Sequence, residues 1–152
     1  TQESITFPMN KQNIFYADDD VDDLDFFKEI VETFGDDFQV YTKDNGSDLI
    51  LALETPPPHP NVVFLDINMP GMNGLEVLKQ MRQNEQHKGL PVIMFSTSHD
   101  ESIIDEARQL GASYYLPKSG DFKKLRQSIE HVLSINWGNF ITTEQNFVYQ
   151  YQ

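Results

Sequence analysis

Asn61-Val-Val-Phe-Leu-Asp-Ile-Asn-Met-Pro-Gly-Met-Asn-Gly74 is the stretch that decides the fold. Val62 to Leu65 is an unbroken apolar run, too short for a helix and rich in β-branched residues, which predicts a strand buried on both faces as in a parallel sheet. Asp66 follows at the carboxyl end of that strand, Met69-Pro70-Gly71 breaks the backbone, and a helical pattern opens at Leu75 after Asn73-Gly74. Open α/β sheets place their ligand sites at such a strand end.

Working outward, Asn13 to Ala17 is a first strand, running into the acidic stretch Asp18-Asp19-Asp20-Val21-Asp22-Asp23. Leu24, Phe27, Ile30, Val31 and Phe34 then recur at helical spacing up to Gly35. Phe38–Thr42 is a second strand, and a helix through Leu49, Ile50 and Leu53 stops before a stiff proline connector, Pro56 to Pro60. Pro91–Phe95 is a fourth strand ending in Ser96. Ser98 with Glu101 predicts a capping box that opens a helix through Ile103, Ile104, Ala107 and Leu110 to Gly111. Ser113–Leu116 is a fifth strand, and Phe122, Leu125, Ile129, Val132 and Leu133 mark a fifth helix.

Five strands alternating with five helices predict βαβ units and one doubly wound α/β domain with helices on both faces. The division is an N-terminal arm over 1–11, a domain over 12–134 and an aromatic C-terminal extension over 135–152, either docked or a loose tail. The formal charge of −13 argues against a nucleic-acid surface, while 39% hydrophobic residues in periodic blocks argue against disorder. Without cysteine there are no disulfides, thiolate metal sites or cysteine nucleophiles. With no apolar run long enough to span a membrane and no signal peptide, the expectation is a cytoplasmic protein.

With strand order 2-1-3-4-5, strands one and three are neighbours, and Asp18, Asp19 and Asp66 converge. Clustered carboxylates repel unless a cation sits among them, and hard oxygen donors without His or Cys point to Mg²⁺. A magnesium ion beside one carboxylate suits phosphoryl transfer, with Asp66 as nucleophile and Lys118 and Ser96 as donors to the phosphoryl oxygens.

Ala17-Asp18-Asp19-Asp20, Leu65-Asp66 through Gly74, Phe95-Ser96 and Tyr115-Leu116-Pro117-Lys118 together resemble the receiver domain of two-component response regulators, the CheY-like family, over roughly Gln12 to Leu133. The resemblance implies the flavodoxin-like order 2-1-3-4-5 and a phosphoacceptor at Asp66. It implies Mg²⁺ on Asp19, Asp66 and the backbone carbonyl of Asn68, with Asp18 contributing through water. Ser96 resembles the switch hydroxyl and Tyr115 the aromatic coupled to it.

The implied partners are a histidine kinase or histidine phosphotransfer protein and a downstream protein target. A homodimer through the tail, or through the face of the fourth helix, fifth strand and fifth helix, is a further expectation. The family's lysine is usually followed by a cis proline. Here Ser119 follows Lys118, where a cis bond would cost about 3 kcal/mol, so the loop is expected to take another shape.

The expectation is thus a stand-alone phosphorylation switch rather than a turnover enzyme. The alternatives are a phosphorylation-independent interaction module and a Mg²⁺-dependent phosphohydrolase, whose paired aspartates would match the spacing of Asp18 and Asp20. Asp22, Asp23 and Asp25 read as a solvated acidic face, His59, His87, His99 and His131 as surface residues, and Gly74 as a backbone requirement.

Overall fold

The structure is a computed structural model that describes residues 11–152; all of the predicted N-terminal arm except Lys11 lies outside the described residues. The chain alternates β1 (Gln12–Ala17), α1 (Val21–Glu32), β2 (Phe38–Lys43), α2 (Gly46–Glu54), β3 (Val62–Leu65), α3 (Gly74–Gln83), β4 (Val92–Ser96), α4 (Glu101–Gln109), β5 (Tyr114–Pro117) and α5 (Phe122–Ser134). A single turn of 3₁₀ helix, Glu85–His87, sits between α3 and β4. The strands form one parallel sheet in the order β2-β1-β3-β4-β5, as expected.

Side chains alternate across a strand, so a sheet covered on both sides needs two cores. Phe15, Ala17, Val63, Leu65, Met94 and Tyr115 point to the face covered by α2, α3 and α4. Ile14, Tyr16, Phe64, Phe95, Tyr114 and Leu116 point to the face covered by α1 and α5. On this second face Phe27 of α1 packs its ring 4.7 Å from Tyr16 and 4.8 Å from Phe64. Such pairs add about 1 kcal/mol each beyond burial and fix where α1 starts, directly after the β1 carboxylates.

Local chemistry sets the helix ends. Asp20 caps α1 by accepting from the backbone N–H of Asp22 and Asp23. A capping box does form, but at α3, where Asn73 and Glu76 exchange backbone-to-side-chain bonds of 2.9 Å each. The capping box expected from Ser98 does not form. Asp100, adjacent to the first helical residue, accepts from the N–H of Ser102, while Ser98 Oγ accepts from the N–H of Asp100 at 3.2 Å in the preceding turn. Two acceptors compete for one helix start, and the carboxylate next to it wins.

His87 is a second correction. The 3₁₀ turn, capped by the Asn84 side chain, carries His87 inward to 7% exposure, and its carbonyl accepts from Arg82 Nη1 at 2.6 Å. His59, His99 and His131 are exposed.

Gly74 is a backbone requirement, as expected. Its N–H donates to the Ile67 carbonyl at 2.8 Å, and a Cβ there would lie 2.1 Å from the Asp66 carbonyl oxygen. The start of α3 is therefore pressed against the loop that carries Asp66. Gly74→Ala is expected to lower the urea midpoint by the equivalent of about 1–3 kcal/mol with an unchanged m-value. A midpoint equal to wild type would show that α3 can back away from this loop without loss.

Candidate functional site

All five strands run the same way, so the residues just past their carboxyl ends gather along one rim of the sheet. β1 and β3 are adjacent, with Ala17 opposite Leu65, which sets Asp18 beside Asp66. Asp18, Asp19 and Asp66 each offer a carboxylate oxygen within 4.8 Å of the others. Asp18 and Asp66 are buried and Asp19 is exposed, so the cluster opens to solvent on the Asp19 side. Asn68 lies exposed on the loop after β3.

Lys118 reaches the same point from the end of β5. Its Nζ lies 2.6 Å from Asp18 Oδ2, 2.8 Å from Asp23 Oδ2 and 3.6 Å from Asp66 Oδ1. It also sits 5.5 Å from the centre of the Phe95 ring. Burial alone would lower the Lys118 ammonium, but its bonds to Asp18 and Asp23 and the nearby Asp66 outweigh that and push it up to about 12. Lys118–Ser119 is a trans peptide, in keeping with the missing proline.

Asp66 is pulled in two directions. Burial raises its carboxyl, Lys118 lowers it, Asp18 and Asp19 raise it again, and it settles at about 7. A value raised above the unfolded one means that the fold favours the protonated carboxyl. The stability this contributes is complete below the ordinary carboxylate range near 4 and is lost as pH rises through about 7.

Asp18, Asp23 and Asp66 thus surround one ammonium, and Asp19 joins Asp18 and Asp66 beside it, leaving an excess of negative charge. A hard divalent cation would offset it, and an all-oxygen donor set open on the Asp19 side fits such an ion, with room for retained waters.

Two members of this site escape a reading of the sequence. Asp23, which reads as part of a solvated face, is half-buried and accepts from Lys118, because the first turn of α1 folds it back over the strand end. Tyr16 is fully buried and its hydroxyl donates to Asp18 Oδ2 at 2.5 Å. Burial first, and then Asp18, push that hydroxyl far above its ordinary value, so it stays a donor. An aromatic in the middle of a buried strand carries no signal that distinguishes this role from packing.

Ser96 and Tyr115 lie on the adjacent strands β4 and β5 and are both fully buried. Ser96 Oγ accepts from the N–H of Ser98 at 3.2 Å, and the Tyr115 hydroxyl donates to the Ser98 carbonyl at 2.8 Å. One residue, Ser98, therefore links the two side chains through its N–H and its carbonyl.

Replacing Lys118 by Met removes the cation that lowers the Asp66 carboxyl. Its ¹³C titration midpoint in metal-free protein is expected to move above that of wild type, and stability to fall by on the order of 3 kcal/mol as buried carboxylates lose their partner. A midpoint that stays put or falls would mean that Lys118 does not govern Asp66.

Comparison with known proteins is consistent with this geometry. The sequence profile described as the response regulator receiver domain matches residues 14–130. Response regulator Rcp1 of Synechocystis is 35% identical over 85 residues, covering 56% of this chain and 57% of Rcp1. The DNA-binding transcriptional regulator NtrC of Salmonella typhimurium is 39% identical over 93 residues, covering 61% of this chain but 19% of NtrC. The matches thus span little more than half of one curated relative and a fifth of the other.

Among solved structures, the Mn²⁺-bound form of Rcp1 superposes with a TM-score of 0.74 at 28% identity, covering 86% of this chain and 97% of that one. The phosphorylated cyanobacterial phytochrome response regulator RcpA gives 0.77 at 25% identity, covering 87% and 97%. With the sheet order, the acidic rim and a profile match across most of its length, the chain belongs to the response regulator receiver domain family of two-component signalling.

Proposed function

We propose that this receiver domain is a phosphorylation switch in which Asp66 accepts a phosphoryl group from a phosphohistidine of a histidine kinase or phosphotransfer protein. The observation that carries the reading is the convergence of three carboxylates within 4.8 Å beside an ammonium 3.6 Å from Asp66. An Asp66 oxygen attacks phosphorus, the P–N bond breaks, and the imidazole leaves with its electron pair and takes up a proton. The product is an acyl phosphate on Asp66.

Mg²⁺ would be held by Asp19, Asp66 and the Asn68 carbonyl, with Asp18 reached through water, and would neutralise charge on the transferring oxygens. The identification of a divalent cation is supported by the Mn²⁺-bound Rcp1 structure and by the acidic cluster here. Lys118, already poised between Asp18, Asp23 and Asp66, supplies a donor to the phosphoryl oxygens. The Ser96 hydroxyl, whose oxygen accepts from the N–H of Ser98, can supply another through its own proton. Formation of these bonds is the switching step, a shift between two packings set by one new group of charge-assisted bonds.

Beside the site, the half-exposed rings of Phe26 and Phe122 border an apolar cavity of about 200 Å³ that reaches Lys118. This gives a protein phosphodonor an apolar seat on the Lys118 side of the site. Action as a switch rather than a turnover enzyme is supported by Asp20, whose carboxylate caps α1 instead of joining the cluster as a hydrolase's second aspartate would. No helix among the described residues is long and apolar enough to cross a membrane, and on this reading the domain works in the cytoplasm beside its phosphodonor.

Incubation with acetyl phosphate and Mg²⁺ is expected to give one phosphoryl adduct by intact-mass spectrometry. The adduct should be absent in Asp66→Asn and after chelation, with the far-UV spectrum of the variant unchanged. An adduct of equal yield in Asp66→Asn would move the acceptor elsewhere, and no adduct from acetyl phosphate or from a phosphohistidine donor would favour a module that works without phosphorylation.

A further inference from the structure

The extension after α5, left open above as docked or loose, is docked. Trp137 and Phe140 pack edge-on against Tyr114, with ring centres 5.8 and 6.0 Å away. Thr142 Oγ1 donates to the Ser113 carbonyl at 2.8 Å. The chain then turns and runs parallel to β5 along the free edge of the sheet. The Tyr115 N–H donates to the Phe147 carbonyl at 2.8 Å and the Tyr149 N–H to the Tyr115 carbonyl at 2.9 Å, with Val148 paired opposite Tyr115. Phe147 is 1% exposed and its ring centre lies 6.2 Å from that of Tyr115. Farther along, the Tyr151 hydroxyl donates to the Pro117 carbonyl at 2.6 Å, one residue before Lys118.

The tail thus grips two parts of the candidate site. Tyr115 is held by both of its backbone groups and covered by Phe147, so its ring cannot swing toward the sheet edge without displacing Phe147. Held inward, its hydroxyl fixes the Ser98 carbonyl, and the same residue's N–H meets the Ser96 hydroxyl. Tyr151 meanwhile anchors the peptide that leads into Lys118, in a loop without the proline that would otherwise shape it.

We propose that residues 147–151 are a clamp on the switch, with Phe147 and Tyr151 as positioning residues that act through Tyr115 and the Pro117 carbonyl to set the Ser96 and Lys118 donors around Asp66. This rests on the reading of Asp66 as the phosphoacceptor. Because binding free energies are reciprocal, a clamp that orders the donors tightens the hold on a phosphoryl group at Asp66, and that group in turn tightens the clamp.

The test uses the full chain with Mg²⁺ and beryllofluoride, which mimics a phosphoryl group on a carboxylate. In wild type, binding is expected to slow amide hydrogen exchange at Tyr149, whose N–H is held by the Tyr115 carbonyl. Phe147→Ala should weaken beryllofluoride binding by about 5-fold or more, at the lower end of measured couplings, while Phe147→Leu recovers most of it. A merely structural tail would leave Tyr149 exchange unmoved by the ligand.

Should Phe147→Ala unfold, Tyr151→Phe removes one hydroxyl only and is expected to weaken binding in the same direction. Beryllofluoride binding that leaves Tyr149 exchange unchanged, with variants binding as wild type, would overturn the clamp and leave the phosphoacceptor standing. Absence of binding to wild type would overturn both.

Discussion

One ammonium organises this molecule. Lys118 Nζ, brought to the rim by β5, meets carboxylates from the end of β1, the first turn of α1 and the end of β3. Acidic groups at that density would push one another apart, and a buried lysine would give up its proton. Together they hold, because each supplies the counter-charge the other lacks. The balance is incomplete, since the carboxylates outnumber the cation; burial first, and then the neighbouring Asp18 and Asp19, keep the Asp66 carboxyl raised despite Lys118. A site left short of positive charge is primed to take up a cation and, through it, an anionic group.

The fold supplies the rigidity that this requires. Two cores, one on each face, pin every strand from both sides, so the rim residues inherit positions set by packing well below them. Phe27 locks α1, and hence Asp20 and Asp23, against Tyr16 and Phe64. Gly74 lets α3 close on the backbone of the Asp66 loop. The Ser96–Ser98 turn and the peptide entering Lys118 are tied down by hydrogen bonds, and these are segments a new ligand could rearrange.

Much of this was legible in the sequence because period and punctuation agree. Val62–Leu65 is uniformly apolar since it is uniformly buried, and the acid after it marks the rim. Asp18, Asp19, Asp66 and Lys118 stand at the ends of strands that βαβ alternation makes parallel, in the order that the family resemblance implied. What escaped lacks a period. Asp23 belongs to an acidic run of which one member folds back onto Lys118. Ser98 and Asp100 offer equivalent cap chemistry, and proximity to Glu101 decides between them. His87 is turned inward by a single 3₁₀ turn. In the tail, Trp137, Phe140, Phe147, Tyr149 and Tyr151 match neither helix nor strand spacing, because Trp137 and Phe140 pack on Tyr114 while Phe147, Tyr149 and Tyr151 reach Tyr115, His131 and Pro117.

A parallel sheet ends on each side in a row of donors and acceptors that any extended peptide can join. On the β5 side that row is occupied by the chain's own residues at Tyr115, and Phe147 covers the apolar ring beside it. The tail therefore also insulates the domain against indiscriminate strand-to-strand pairing with its neighbours in a crowded solution. Any event that lifts it would expose backbone hydrogen-bonding groups and an aromatic side chain together, so colloidal behaviour and signalling state draw on the same few contacts.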